Sequence, residues 1–446
     1  MRADSRRGRA NGCSTAPPSS GWIFPPGASV ADAPFQPGRE FADSLDRQDP
    51  LHRFRHEFHV PQGPDAEEEI YFAGNSLGLL PKRTQRYVDA ELEKWSRLAV
   101  KAHFSGEHPW MPYHELLAEP MAGLVGASPT EVVTMNSLTA NLHLMMATFY
   151  RPTPERHRIL LEERAFPSDD YALESQARFH GFDPAEALVR VRSEQVARFL
   201  ERAGDSIALV LLPGVQYYSG EAFDVAAITR LAHAQGCVAG FDLAHAAGNL
   251  VLRLHDWDVD FAVWCTYKYL NSGPGSVGGC FVHARHGRRT DLPRLAGWWG
   301  HDKASRFRME SGFRPIPGAE GWQLSNPPIL SLAAIRASLD VFMEAGGMEP
   351  LREKSLRLTG YLEWLLGREV GDAIEILTPR DPSRRGCQLS LRVKSNASGR
   401  SVFEKLEASG VTADWREPDV IRVAPVPLYN RFAEVHRFVE ILRAAL

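Results

Sequence analysis

The 446-residue sequence lacks a long apolar run and lacks an excess of basic charge. No segment approaches the roughly 18 consecutive apolar residues of a membrane-spanning helix, and the apolar segment Ile207–Leu212 is stopped by Pro213. The 51 Lys and Arg residues are outnumbered by 55 Asp and Glu residues, for a net charge of −4, whereas a nucleic-acid-binding surface needs an excess of positive charge. These absences exclude membrane-spanning and nucleic-acid-binding proteins as classes.

Cysteine is scarce, and its pattern argues against disulfides and metal sites. The cysteines are odd in number, irregularly spaced and without a C-x-x-C motif, which is typical of reduced thiols in a cytoplasmic protein. No histidine and cysteine cluster has the spacing of a metal site, so we expect no bound metal. Most of these thiols are expected in the core, where free cysteine behaves as a small hydrophobic residue; they are Cys13, Cys237, Cys265, Cys280 and Cys387.

Length and composition indicate a large globular domain with a smaller companion. A hydrophobic fraction of 44% with 24% charged residues is ordinary for a soluble protein, and a chain of this length exceeds one small core. Residues 1–45 are rich in Arg, Pro, Ser and Gly, which predicts a disordered tail. The rest divides into an N-terminal segment (46–95), a large domain (96–330) and a small C-terminal α+β domain (331–446).

Short apolar runs alternate with segments of helical periodicity, most clearly within the large domain. Alternation of strand and helix predicts a mostly parallel sheet, of the seven-stranded type, covered by helices on both faces. The predicted strands are 159–161, 207–212, 238–241, 261–265 and 280–282, with 387–393 and 420–424 in the small domain. The predicted helices are 81–98, 118–125, 137–149, 224–235 and 331–344.

Polar side chains follow three of these strands, at the sheet edge where α/β proteins bind ligands. Asp242 ends one strand, Lys268 follows the next, and Phe166–Asp169 follows an earlier one. Each has an ordinary structural interpretation: a helix N-cap for the aspartate, a solvent-directed amine for the lysine, and a loop for the third. Together they favour pyridoxal 5′-phosphate, which needs a lysine for its Schiff base, an acid at its pyridine nitrogen and a flat group against its ring.

Eight motifs in chain order then make the sequence resemble the kynureninases, a family of pyridoxal-phosphate-dependent enzymes with fold type I of the class V aminotransferase kind. The resemblance runs from about Phe41 to the C-terminus and implies a homodimer with the active site at the subunit interface. The motifs are GNSLG at 74–78, MNSLT at 135–139, FPSD at 166–169, GFDLAH at 240–245, CTYKYLN at 265–271, GWWGH at 297–301, SNPP at 325–328 and IRVAPVP at 421–427.

The resemblance assigns roles residue by residue. Lys268 matches the Schiff-base lysine, Asp242 the acid at the pyridine nitrogen, and Arg422 the arginine that binds the substrate α-carboxylate. One departure is Pro213, because the family often has Ser or Thr near that strand end, so one hydroxyl contact to the cofactor is missing. The residues that match positions lining the cofactor are Leu138, Thr139, Phe166, Asp169, His245, Tyr267, Trp298 and Asn326.

The implied reaction is hydrolytic cleavage of the Cβ–Cγ bond of L-kynurenine or 3-hydroxy-L-kynurenine, giving anthranilate or 3-hydroxyanthranilate and L-alanine. Lys268 is the expected base at Cα. Tyr267 is either a proton donor near the carbonyl or a structural ligand of the phosphate. Tryptophan catabolism, NAD biosynthesis and specialised metabolism all remain open as the pathway.

Two other interpretations share the fold. A cysteine desulfurase would keep Asp242 and Lys268 but needs a reactive cysteine on a mobile loop, and no cysteine is placed for that. A catalytically silent scaffold would not be expected to retain Lys268, Asp242 and Arg422 together.

Substrate preference is predicted from the aryl pocket of the family. Members that favour 3-hydroxykynurenine resemble this chain in having His at the position of His103 and Ser-Asn at Ser325 and Asn326. Asn326 offers a hydrogen bond to a ring hydroxyl, and a pocket built for that hydroxyl discriminates against substrates without it. The alternatives are that His103 is an ordinary surface-loop residue, or that the true substrate carries a further ring substituent.

Overall fold

The computed structural model describes residues 35–63, 67–395 and 397–446. The helices in these parts are α1 (Arg39–Gln48), α2 (Arg83–Leu98), α3 (Ala118–Val125), α4 (Leu138–Phe149), α5 (Pro167–Phe179), α6 (Pro184–Ala187), α7 (Val196–Ala203), α8 (Val225–Ala234), α9 (Ala284–Gly287), α10 (Ile329–Glu344), α11 (Met348–Glu369), α12 (Gly399–Ala408) and α13 (Phe432–Ala445). The strands are β1 (Ile70–Tyr71), β2 (Val132–Thr134), β3 (Arg158–Glu162), β4 (Leu188–Val191), β5 (Ile207–Pro213), β6 (Val238–Asp242), β7 (Phe261–Trp264), β8 (Gly279–Val282), β9 (Ile374–Ile376), β10 (Leu389–Val393), β11 (Val411–Thr412), β12 (Asp414–Arg416) and β13 (Val420–Val423).

The large sheet has seven strands in the order β2-β8-β7-β6-β5-β3-β4. Strands β7, β6, β5, β3 and β4 are parallel, and β8 runs antiparallel to β2 and β7. Neighbouring residues of one strand pack into different hydrophobic clusters: Val210 contributes to one and Leu211 to the other. A strand buried on both faces needs an apolar run rather than an alternating pattern, so the predicted mostly parallel sheet is confirmed.

The smaller unit is a four-stranded antiparallel sheet in the order β12-β13-β10-β9. A separate hydrophobic cluster forms between this sheet and α1, α11, α12 and α13. β1, from the N-terminal part of the chain, pairs in parallel with β11 and so ties that part to this unit.

Two predicted segments differ from the structure. The predicted disordered tail lies outside the described residues for 1–34, but it is wrong for 39–45, which belong to α1 and bury Ala42 and Leu45. The helix has an apolar face that the surrounding Pro- and Gly-rich composition obscured. α10, predicted to open the small domain, packs on α2 and contributes Leu332 and Ile335 to the core of the large sheet. No helix in the described part of the chain is long and apolar enough to span a membrane.

Candidate active site

A cleft of about 190 Å³ lies at the carboxyl ends of β3, β5, β6 and β7. Because these strands are parallel, the residues that end them meet at one edge of the sheet. Pro213 and Asp242 are cross-strand partners at that edge, and Lys268 follows β7. The predicted site residues that line the cleft are Leu138, Thr139, Phe166, Asp169, Asp242, His245, Tyr267 and Lys268.

The Lys268 amine is held against His245. Its Nζ lies 3.0 Å from His245 Nε2 and 5.8 Å from the centroid of the Phe166 ring. Burial, followed by the charge of Lys268, lowers the pKa of His245 well below its usual value. A neutral imidazole accepts a hydrogen bond from the ammonium group, so His245 orients the lysine towards the cleft.

Two buried carboxyl groups lie side by side deeper in the cleft. Asp242 Oδ1 accepts a hydrogen bond of 2.7 Å from the backbone N–H of Ala244, so this aspartate also stabilises the turn that follows β6. Burial raises the pKa of Asp242. Burial and the neighbouring Asp242 carboxylate raise the pKa of Asp169 well above its usual value. The pair would be stabilised by a cation between them and the open cleft.

Two helix N-termini face the same cleft. α4 begins at Leu138 and α5 at Pro167, and the hydroxyl oxygens of Thr139 and Ser168 lie 2.8 Å apart. The backbone N–H groups of a first helical turn and a pair of hydroxyls are donors suited to a phosphate. Ser168 was not among the predicted site residues; the signal was its place one residue after a proline that opens a helix.

Tyr267 borders the cleft beside Lys268. Burial raises the pKa of its phenol, so the group keeps its proton at neutral pH and remains available as a donor. Phe166 stays 41% exposed and contacts the Tyr217 ring edge-on, with centroids 5.3 Å apart. Tyr217, which lines the cleft, was also missed by the sequence analysis because a tyrosine in a loop, here followed by Tyr218, gives no functional pattern.

Arg422 is fully buried behind the cleft rather than along it. Its guanidinium pairs with Asp414 at 2.7 Å, and its NH1 donates to the carbonyl of Tyr217 at 2.7 Å. Its NH2 also donates to Ser76 Oγ at 3.2 Å. Arg422 therefore contacts the cleft only indirectly, by its hydrogen bond to Tyr217, which lines the cleft.

The remaining predicted residues do not line the cleft. Two of them, His103 and Trp298, belong to what we call the aromatic surface, formed by His103, Phe104, Trp298 and Phe307. Their rings follow one another, with centroids 6.3 Å apart for His103 and Phe104, 6.4 Å for Phe104 and Phe307, and 5.4 Å for Phe307 and Trp298. The exposed Ser325 and Asn326 follow Leu324, whose carbonyl accepts a hydrogen bond from the N–H of Trp299. One chain thus keeps His103, Trp298, Ser325 and Asn326 apart from its own cleft lining.

The cleft residues fit pyridoxal 5′-phosphate. Asp169 Oδ1 and His245 Nδ1 are buried and have no hydrogen-bond partner within the described ranges. The cleft therefore contains polar atoms whose hydrogen bonds a bound ligand could complete. Lys268 offers the amine, Asp242 and Asp169 face where a protonated ring nitrogen would lie, and the α4 and α5 termini offer phosphate donors.

Comparison with known proteins gives the same picture. Residues 351–442 match the family described as kynureninase C-terminal domain. The chain is 56% identical to the kynureninase of Koribacter versatilis over 420 residues, covering 92% of this chain and 98% of that protein. It is 57% identical to the kynureninase of Xanthomonas euvesicatoria pv. vesicatoria, covering 91% and 98%, and 55% identical to that of Myxococcus xanthus, covering 92% and 97%.

Solved structures resemble the chain in fold. A C-DES variant with glycine covalently linked to its PLP cofactor superposes with a TM-score of 0.73 at 17% identity, covering 87% of this chain and 98% of that chain. The apo cysteine desulfurase from Thermococcus onnurineus superposes with a TM-score of 0.69 at 17% identity, covering 86% and 98%. The predicted fold type I architecture is confirmed.

Proposed function

The chain belongs to the kynureninase family, and from this premise we propose that it hydrolyses the Cβ–Cγ bond of 3-hydroxy-L-kynurenine in preference to that of L-kynurenine. It is a pyridoxal-phosphate-dependent hydrolase of carbon–carbon bonds, and its products would be 3-hydroxyanthranilate or anthranilate together with L-alanine. The observation that carries the cleavage reaction is the cleft in which Lys268, Asp242 and Asp169 converge. The preference rests on the resemblance of His103, Ser325 and Asn326 to the aryl pocket of the family.

The cleft residues divide the proton handling between them. When bound, pyridoxal 5′-phosphate supplies an electron sink for the bond-breaking steps. Lys268 Nζ moves the proton at the substrate Cα, and His245 orients the amine by accepting its hydrogen bond. Asp242 and Asp169 hold the proton on the ring nitrogen. Tyr267, which keeps its proton, is the proposed proton donor near the carbonyl or the phosphate.

Arg422 is the proposed partner of the substrate α-carboxylate. Two of its donors are directed to Asp414, one to the Tyr217 carbonyl and one to Ser76 Oγ, so a two-bond contact with a substrate carboxylate must displace one of these acceptors. The rigid guanidinium fork is suited to a two-bond contact with a carboxylate. An exchange of partners, rather than a free arginine, is therefore part of substrate binding.

We also propose that two copies of the chain form a homodimer through the aromatic surface. Trp298 is 43% exposed, Phe104 66% and Phe307 51%, and exposed aromatic groups in contact are typical of interfaces. Predicted site residues that do not line the cleft of their own chain would then reach the cleft of the second copy. His103, Trp298, Ser325 and Asn326 meet this description.

Mixing two inactive variants tests this arrangement. One variant carries Lys268→Ala, and the other carries His103→Ala with Trp298→Ala. After denaturation and joint refolding, half of the dimers are mixed and each mixed dimer has one intact site, so activity should return to about a quarter of the wild-type value. No recovery in refolded dimers that native mass spectrometry confirms as mixed would contradict the shared site.

Substrate preference is tested by measuring kcat/KM for kynurenine, 3-hydroxykynurenine and more highly substituted relatives. We expect the hydroxylated substrate to be favoured about tenfold or more, because a lost hydrogen bond in a pocket leaves a polar group unpaired. The double variant His103→Trp, Asn326→Thr should reduce the ratio of kcat/KM for 3-hydroxykynurenine to that for kynurenine. The exposed His56→Trp serves as the control and should leave the ratio unchanged. Equal kcat/KM values in the wild type would refute the preference and leave the family assignment intact.

The proposed location is the cytoplasm. Cys237, Cys265, Cys280 and Cys387 are free and buried, which agrees with a reducing compartment. Fractionation with an activity assay tests this.

A further inference from the structure

A buried glutamate separates the cleft from a second cavity. Glu162 ends β3 and is 5% exposed. It lines the cleft and also a cavity of about 360 Å³ between the large sheet and the smaller unit, where Leu377 and Arg392 form part of the wall. Within the described part of the chain, Glu162 is the residue that the two linings share.

The hydrogen bonding of Glu162 is fixed by Gln216. The Gln216 Oε1 accepts from the backbone N–H groups of Tyr218 at 2.6 Å and Ser219 at 2.8 Å, so its amide orientation is set. Its Nε2 then donates to Glu162 Oε1 at 3.2 Å and to the carbonyl of Arg164 at 2.9 Å. Glu162 makes no ion pair with any described residue.

The cations near Glu162 are engaged elsewhere. Arg164 lies over the Tyr218 ring at 5.3 Å. Arg192 pairs with Glu194 at 3.2 Å, and Arg392 pairs with Asp419 at 2.8 Å. No arginine of the second cavity therefore compensates a charge on the glutamate.

The nearby acids disfavour a charge on Glu162. Burial, followed by the negative charges of Glu221 and Asp170, raises the pKa of Glu162 to about 8 against the opposing bond from Gln216. Asp170 is paired with Arg190 and Glu221 with Arg384; the adjacent Glu163 is exposed. The Glu162 charge in turn raises the pKa of Asp169. The carboxyl groups of Glu162, Asp169 and Asp242 thus form a row of interacting groups from the second cavity to the floor of the cleft.

We propose that Glu162 is a positioning residue that stores a proton between the second cavity and the cleft and thereby sets the charge of the Asp169–Asp242 pair. The proton leaves to water in the second cavity at alkaline pH, and the added negative charge then favours protonated forms of the groups in the cleft. At neutral pH the stored proton keeps a further negative charge out of the row. The kinetic part of this inference rests on the proposed function, whereas proton storage does not.

Proton storage is tested on the cofactor-free protein by comparing Glu162→Gln with wild type. The variant keeps the shape and the bond from Gln216 but cannot titrate. Since the folded-state pKa lies above the usual value of 4.5, the proton stabilises the wild type fully below that value and the benefit declines as pH rises to about 8. The unfolding equilibrium constant of wild type relative to the variant should therefore rise about tenfold per pH unit between about pH 5 and 8.

The positioning role is tested by titrating the visible absorbance of the bound cofactor and the alkaline limb of kcat/KM. In Glu162→Gln both midpoints should move to lower pH by about half a unit or more, a threefold change in proton affinity. Glu163→Gln, the same change at the next and exposed residue, should leave both midpoints in place. Glu162→Asp retains a titrating carboxyl and should restore the wild-type profile.

Each part can fail on its own. If the unfolding equilibrium constants of wild type and Glu162→Gln change with pH in the same way, proton storage is overturned. If the stability difference has the expected pH dependence but the midpoints of the cofactor absorbance and of kcat/KM do not move, the positioning role is overturned. If the enzyme did not cleave kynurenines, the proposed function would fail, while the apoprotein stability and cofactor absorbance would still decide this inference.

Discussion

Replacing Asp242 with asparagine removes one negative charge from the floor of the cleft without changing the size of the side chain. The asparagine Oδ1 can still accept the hydrogen bond that Asp242 Oδ1 receives from Ala244, so we expect a folded protein that binds cofactor. The lost interaction is that of a buried carboxylate with a protonated ring nitrogen. Breaking a buried charge pair costs about 3 kcal/mol or more, which slows proton transfer at Cα about a hundredfold.

The neighbouring carboxyl limits this loss. Asp242 contributes to the raised pKa of Asp169, so removing its charge makes Asp169 easier to ionise. Asp169 can then take over part of the role, and the single variant should not be inactive. The double variant Asp169→Asn, Asp242→Asn should lose more than the sum of the two single losses, expressed as free energies.

The assay is the exchange of the Cα proton of L-alanine in heavy water, followed by NMR, because exchange reports proton transfer apart from cleavage of the carbon–carbon bond. Asp89→Asn is the control, since Asp89 is exposed on α2 and does not line the cleft. Wild-type exchange rates in Asp242→Asn would refute the reasoning. Losses that add within about 0.5 kcal/mol would show that Asp169 does not compensate.

Three further predictions concern cofactor attachment and stability. Lys268→Ala should fold but lose the visible absorbance of the cofactor and its turnover, whereas the exposed Lys82→Ala should keep both; substantial steady-state activity of the first variant would contradict the role of the lysine. A chain beginning at Phe35 should keep the wild-type melting temperature and activity, but one beginning at Leu51 should melt earlier, because α1 buries Ala42 and Leu45 and Asp46 accepts from the first N–H groups of α13. Lys354→Met should lower the free energy of unfolding by about 3–5 kcal/mol, measured by urea denaturation. The reason is that Asp49, buried 2.7 Å from Lys354 Nζ, loses its cation. Lys394→Met at an exposed site should change the free energy of unfolding little.

The five inner strands of the large sheet were predictable because they are buried on both faces, whereas the edge strands β2 and β4 were not predicted. Strands buried on both faces need uninterrupted apolar runs, and β5 and β6 stand out in the sequence for that reason. The helix α1 was not predictable from composition, since its stability comes from contacts with residues nearly 400 positions later, such as those of Asp46 with Phe432. Local pattern carries no information about such a partner.

In the candidate site, too, some features follow from local sequence pattern and others depend on contacts between distant segments. Asp242 and Lys268 follow adjacent parallel strands, so their convergence follows from topology alone. Glu162 also ends a strand of this sheet, but a single acid after an apolar run resembles an ordinary strand end. Its significance depends on the other partners of Arg164, Arg192 and Arg392 and on the orientation of Gln216, which only three-dimensional placement reveals.

The loop that carries Lys268 depends on a segment distant in sequence. The N–H of Gly78 donates to the carbonyl of Tyr267 at 2.8 Å, and a Cβ at Gly78 would lie 2.3 Å from the Lys268 carbonyl oxygen. Only glycine permits this approach without moving the backbone that presents the lysine. Ser76, two residues earlier, instead contacts Arg422. The GNSLG segment therefore acts through the lysine loop at one end and through the arginine at the other, although neither Ser76 nor Gly78 lines the cleft.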